Sequence, residues 1–280
     1  MKKSITYLLL VSVTLMFSCT SKKIDYELIE TFQDESVPEL EIEITDSTKV
    51  LVIVAHGDDE TIAGGLIALL ASKGASIHLL MLCEHNDTRV KEISCSASKL
   101  GIEKVEIAGF INNTWEDIMQ DKITFWYDHK DSIKNVIARK INLFKPEILI
   151  TWDSEIGGYG HPEHRISAQI TENLFFDNKN NPEFSPKKIF QMTYPEKLEK
   201  FLASKSSGYE LSKKLTGSKG LPKPDVSVNI KEYWKVRNEA ALCHQSQLTI
   251  LKSSYMVYDK KNEAQHISAF SKEYYKIVEK

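Results

Sequence analysis

The sequence predicts an α/β protein of three layers, with a mostly parallel sheet and helices on both faces. Two observations carry this. Near-continuous apolar runs of strand length recur at 50–55, 77–82 and 148–152, and segments with helical apolar spacing separate them. Strands that are apolar on both faces are covered on both faces, and repeated β-α-β units make neighbouring strands parallel.

The chain opens Met1-Lys2-Lys3 and then runs apolar from Ile5 to Phe17. A basic start followed by an apolar stretch too short to span a bilayer comfortably reads as an export signal. It ends Leu15-Met16-Phe17-Ser18-Cys19, and a small residue before Cys resembles the lipobox of bacterial lipoproteins. Residues 1–18 are therefore expected to be a lipoprotein signal peptide, with Cys19 lipidated and the protein exported, membrane-anchored and facing the periplasm or cell exterior. An ordinary secreted protein with Cys19 near its cleavage site is the other reading. Residues 19–48 are polar and acidic and read as a tether and N-terminal arm, leaving 49–280 as one domain.

Loss of Lys2 and Lys3 with the leader moves the formal charge from −3 to −5. No basic helix or basic and aromatic stripe points to nucleic acid. Cys83, Cys95 and Cys243 remain, which allows one disulfide at most and no zinc-knuckle spacing.

From Lys49 onward the elements alternate. A strand at 50–55 precedes a helix at about 60–73 with Ile62, Leu66, Leu69 and Leu70 in step, stopped by Gly74. A strand at 77–82, a helix at 87–100 closing on Gly101, and a strand at 105–108 follow. After an Asn- and Trp-bearing stretch at 111–128 come a helix at 130–144 and a strand at 148–152. Residues 203–225, rich in Ser, Lys, Gly and Pro, read as a mobile loop. A helix at 230–247 completes the fold, and 248–280 is expected to pack as a final helix or arm.

Two polar clusters stand just past predicted strand ends, the edge where open α/β sheets bind ligands. The first is Ala55-His56-Gly57-Asp58-Asp59-Glu60. A helix cap needs only one of these carboxylates, whereas three in a row behind a buried strand repel unless a cation or proton lies among them. His56 adds a nitrogen ligand, so a divalent metal is the economical explanation. The second cluster is Asp153 to Arg165, including Gly157, Gly158, Gly160, His161, Pro162 and His164. Its glycines let the loop fold close to a ligand, and Pro162 suits the first turn of a helix whose face His161 and His164 can share.

These residues resemble the LmbE-like or PIG-L-like zinc-dependent deacetylases of N-acetylglucosamine conjugates. Their first signature, Ala-His-Pro-Asp-Asp-Glu, stands here as 55–60 with Gly57 for proline. The second, Gly-His-Pro-Asp-His, stands as 160–164 with Glu163 for aspartate, and a looser His-x-Ser-Gln matches His244 to Gln247. The resemblance implies a three-layer Rossmann-like fold and one Zn2+ held by His56, Asp59 and His164. It also implies Asp58 as general base, His161 over the developing oxyanion, and Tyr159 helping to polarise the carbonyl. Two His and one carboxylate leave a fourth position for water, as catalytic zinc sites do. The acid that protonates the departing amine is either His161 or protonated Asp58.

Around these, Glu163 is expected to orient His161 or raise its pKa, and Glu60 to support the site from behind or to serve as a helix-start carboxylate; His244 reads as a helix C-terminal cation, and the resemblance moves it behind the site. Arg89 is a candidate for substrate binding or for a surface pair with Glu92. Glu84 to Asp87 either contact substrate or solvate their loop, and Asn112 to Trp115 with Trp126-Tyr127 form either a sugar-stacking wall or core. Gly57 in place of proline adds backbone freedom to a metal turn and puts metal affinity in question. The expected function is a metal-dependent hydrolase that removes an N-acetyl group from an amino-sugar conjugate. The alternatives are a carbohydrate-binding lipoprotein without turnover and a different zinc amidase on the same fold.

Overall fold

The computed structural model describes residues 25–120, 122–254 and 262–280. The expected signal peptide and Cys19 lie outside the described residues. In chain order the elements are α1 Tyr26–Glu30, β1 Lys49–Val54, α2 Gly64–Ser72, β2 Ser76–Cys83, α3 Asp87–Leu100, β3 Lys104–Phe110, α4 Trp115–Met119, α5 Thr124–Asp128, α6 Lys130–Phe144 and β4 Ile148–Trp152. They continue with α7 Pro162–Asp177, β5 Lys188–Thr193, α8 Glu196–Leu202, α9 Ser207–Thr216, β6 Val226–Asn229, α10 Trp234–Cys243, α11 Leu248–Ser253, α12 Glu263–Ala269 and β7 Lys272–Glu279.

The seven strands form one sheet in the order β3-β2-β1-β4-β5-β7-β6. β1 pairs in parallel with β2 and β4, as do β2 with β3 and β4 with β5; β7 runs antiparallel to β5 and β6. Strand alternation sorts β1 between two core layers. Val50, Val52 and Val54 pack with α2, α3 and α10, through residues such as Leu66, Ile67, Ile93 and Ala240. Leu51 and Ile53 pack on the other face with Ile133, Ile137 and Ile141 of α6 and Ile166 and Ile170 of α7.

The chain leaves β1 towards β2 and β3 and then returns to place β4 on the other side of β1. The crevice at the carboxyl ends of β1 and β4 is thus the topological switch point of the sheet, where such folds bind ligands. Both polar clusters fall there.

The local signals account for several boundaries. α3 begins where Asn86 accepts a hydrogen bond from the Arg89 N–H and stops at left-handed Gly101, φ 76°. Cys95 of α3 is disulfide-bonded to Cys243 at the end of α10, with Cα atoms 5.7 Å apart, and Cys83 is buried and free.

Elsewhere the structure corrects the sequence reading. The helix expected from about 60 starts at Gly64, because 59–61 form a 3-10 turn first. The 203–225 segment contains α9, which Ser206 caps by accepting from Gly208 N–H and Gly217 ends; the polar composition hid the spaced buried side of Tyr209 and Ser212. The expected helix at 230–247 is α10 followed by a separate 3-10 turn at Gln245–Gln247. Residues 272–279, expected as helix or arm, are β7, inserted between β5 and β6. The strands β5 and β6 were not foreseen: Gln191 and Thr193 break the apolar run of β5, and β6 has four residues.

Candidate metal centre

β1 ends at Val54 and delivers His56 and Asp59 into the crevice; α7 begins at Pro162 and delivers His164 from the other side. His56, Asp59, His161 and His164 are all buried. His56 Nδ1 lies 2.9 Å from His164 Nε2. One Asp59 oxygen is 3.1 Å from His164 Nε2 and the other 3.6 Å from His56 Nδ1. A tetrahedral ion with bonds of about 2.0–2.1 Å has donor-to-donor edges of about 3.3 Å, so the three residues fit a small divalent cation. The His161 ring is 4.6 Å from the rings of both His56 and His164, centroid to centroid. His56, His161 and His164 can also offer three nitrogens to one ion, as His56, Cys83 and Glu163 can on the opposite side of the His56 ring.

Asp59 is ionised despite its burial, because the imidazoles of His164 and His56 hold its carboxyl well below the usual range. It also accepts the His56 N–H at 2.8 Å, which fixes the turn. Asp58 makes no side-chain capping bond, which removes the helix-cap reading. Its carboxylate stands 3.5 Å from Arg89 Nη2. Burial and the charge of Asp59 push its pKa up, against the pull of Arg89. Burial holds His161 well below an ordinary histidine, with the two neighbouring imidazoles acting in the same direction, so it is neutral. Its Nδ1 accepts the Glu163 N–H at 3.3 Å.

Glu163 corrects one expectation. Its carboxylate turns away from His161 and meets His56 Nε2 at 2.7 Å, the Cys83 thiol at 3.2 Å, and the Asn113 N–H and side-chain amide at 3.0 and 2.6 Å. Tyr159 sets its ring 5.3 Å from that of His164 and keeps more than a third of its surface exposed. Glu60 and His244 sit behind the turn, fully buried, with Oε1 2.7 Å from Nε2 and the Ser96 hydroxyl donating to the same oxygen at 2.6 Å.

Arg89 grips the turn itself, donating to the Gly57 carbonyl at 2.9 Å. Gly57 N–H donates to His85 Nε2 at 3.1 Å, and a Cβ at Gly57 would stand 2.4 Å from Ile93 side-chain carbons. The flexibility expected of this glycine is thus taken up by these two hydrogen bonds; a proline there would keep the carbonyl bond to Arg89 but lose the N–H to His85, and its ring would meet Ile93. Burial, with Arg89 nearby, lowers His85 to about 4, so it is a neutral acceptor.

Three contributors had no clear sequence signal. Trp152 lies parallel to the His164 ring, 4.7 Å away and tilted 4°, where the sequence read only a strand end. Asp153 accepts four backbone N–H groups, from residues 155–158, and so shapes the loop that carries Tyr159. That loop passes so close to α9 that a Cβ at Gly160, φ +95°, would lie 2.1 Å from the Gly208 backbone. Asn113, which donates twice to Glu163, stands in the sequence only within a stretch that reads as a sugar-stacking wall or core.

Fold and site together define a three-layer α/β protein with a candidate His, Asp, His metal centre at its switch point. The PIG-L family pattern, GlcNAc-PI de-N-acetylase, matches residues 51–175, a little under half of the chain. It is 24% identical over 241 residues to a 1D-myo-inositol 2-acetamido-2-deoxy-alpha-D-glucopyranoside deacetylase of Thermobifida fusca, covering 72% of this chain and 84% of the relative. The zinc-inhibited form of teicoplanin deacetylase Orf2 shares the fold at TM-score 0.55 and 15% identity, covering 83% of this chain and 99% of that one. GalB, the 4-carboxy-2-hydroxymuconate hydratase of Pseudomonas putida, does so at TM-score 0.51 and 15% identity, over 83% of this chain and 96% of that one. The fold therefore does not fix the reaction, which has to be argued from the site.

Proposed function

We propose that the protein is a metal-dependent amide hydrolase that removes an N-acetyl group from an amino-sugar conjugate. The observation that carries this is the triangle of His56 Nδ1, His164 Nε2 and Asp59 oxygen with the carboxylate of Asp58 next in the chain. His56, Asp59 and His164 would hold the cation, Zn2+ by the chemistry of the donors. When bound, it supplies Lewis acidity at the amide oxygen and lowers the pKa of a water to about 7.

The chain's own groups do the rest. Asp58, whose pKa burial raises, takes the proton of the attacking water. Neutral His161 and the Tyr159 hydroxyl are donors for the negative charge that develops on the carbonyl oxygen. The amine leaves with a proton returned by Asp58 or given by His161. Arg89 and His85 fix the turn so that Asp58 keeps its place. The named activity of the Thermobifida fusca relative supports an N-acetylated amino sugar as substrate.

The same reading takes the protein as an exported lipoprotein anchored through Cys19. The Cys95–Cys243 disulfide supports an oxidising compartment.

The test is zinc content and acetate release from N-acetylglucosamine conjugates for the wild type and Asp58→Asn. The reading predicts that Asp58→Asn keeps its metal and loses acetate release by about 100-fold or more. Zinc retained by the wild type with no acetate from any substrate would sink it.

A further inference from the structure

We propose that the site prefers N-acyl groups longer than acetyl, seated in an apolar cavity that opens at Asp58; this rests on the amide-hydrolase reading above, with acetyl the slower substrate of the same site. Asp58 and Asp59 border a cavity of about 80 Å³ whose other walls include Ile62, Trp152, Leu202 and Leu251. Ile62, Tyr194, Leu202 and Ser254 also border a second, smaller space of about 30 Å³ towards Leu198 and Phe270. The cavity at the reacting groups has room for more than a single methyl.

A separate cleft of about 560 Å³ is bordered by polar residues, Glu84, His85, Asn86, Arg89, Asn112 and Ser246 among them. It shares no bordering residue with the apolar cavity. The Arg89–Asp58 pair, 3.5 Å apart, joins the two borders.

This division matches the two halves of an N-acyl amino sugar. With the amide at Asp58, the nitrogen carries the sugar and the carbonyl carbon carries the acyl chain. Sugar hydroxyls need hydrogen-bond partners, which the polar cleft offers and the walls of Ile62, Leu202 and Leu251 do not. An alkyl chain needs only to leave water. In the reaction the water oxygen bonds to the carbonyl carbon and its proton goes to Asp58. The C–N bond breaks with its electron pair on nitrogen, which takes up a proton, so the products are a free amino sugar and a fatty carboxylate.

The experiment uses the zinc-loaded protein and methyl glycosides of glucosamine N-acylated with acetyl, butyryl, hexanoyl or octanoyl, read by release of free amine. We expect kcat/KM to rise at least tenfold from acetyl to hexanoyl, each methylene contributing roughly fourfold at most. Leu202→Trp should lower the hexanoyl-to-acetyl ratio at least tenfold. By calorimetry, octanoate should bind the wild type at least tenfold more tightly than acetate. Fastest turnover of the acetyl compound overturns the inference and leaves the deacetylase reading standing. A gain with octyl N-acetylglucosaminide but none along the N-acyl series also overturns it, since the cavity would then take the aglycone. No turnover of any amide removes both readings.

Discussion

Glu163 of α7 hydrogen-bonds through its carboxylate to His56 Nε2 at 2.7 Å, so that the second motif sets the ring of the first. With Nε2 donating to a carboxylate, Nδ1 is left as the lone-pair nitrogen facing His164 and Asp59. Glu163→Gln should therefore weaken zinc binding by about 10–100-fold without displacing the ligands. Competition with a chelator measures this, and unchanged affinity would mean that Glu163 only packs against His56.

His161 can be read as a donor to the substrate or as a third nitrogen for the ion, and one variant separates the two. As a donor, His161→Ala should lower kcat by about 100–1,000-fold and keep one zinc per chain. Loss of the metal from this variant would make His161 a ligand.

Gly57→Pro would match the family signature, yet it should damage this protein. The ring removes the N–H that bonds His85 and meets Ile93. Overpacking alone typically costs about 1–3 kcal/mol. Chemical denaturation should show that loss, and Ile93→Ala should recover part of it in the double variant.

The buried His244–Glu60 pair gives a pH dependence of defined sign. Burial disfavours the imidazolium, but the hydrogen bond and charge of Glu60 outweigh this and raise its pKa. A raised folded pKa contributes stability that is fully present below the unfolded value of about 6.5. That contribution is lost as pH rises through the folded pKa. The stability difference between wild type and His244→Gln should accordingly shrink as pH rises from 6 upward. A difference that is flat, or that grows, would show that the pair is neutral in the folded protein.

Cys95→Ser should lower unfolding free energy by about 2–5 kcal/mol, because the disulfide spans 148 residues of sequence and ties α3 to α10. Reductant should destabilise the wild type towards the variant and leave the variant unchanged. Equal stability of the two proteins under oxidising conditions would show that the bond does not form.

The parallel half of the sheet was readable because β1, β2 and β4 are apolar on both faces and their helices carry conventional stops, as Gly101 does for α3. The carboxyl half was not. β7 sits between two strands that precede it in the chain, and the charged positions Lys272, Lys276 and Glu279 conceal its alternation. α9 was hidden by Ser207, Glu210 and Lys214 on its outer face and by a serine, Ser212, on its buried one.

His56, Asp58, Asp59, His161 and His164 could be named from the chain alone, since imidazoles and carboxylates crowded behind apolar strands require a charge or proton to hold them together. Which nitrogen faces which partner could not. That Glu163 serves His56 rather than the adjacent His161, that His85 and Ile93 occupy the place of a proline ring, and that Trp152 backs His164 were all decided by packing. Each pairs residues from separate elements, and the distances between such elements are set by how the core closes, which local sequence does not encode.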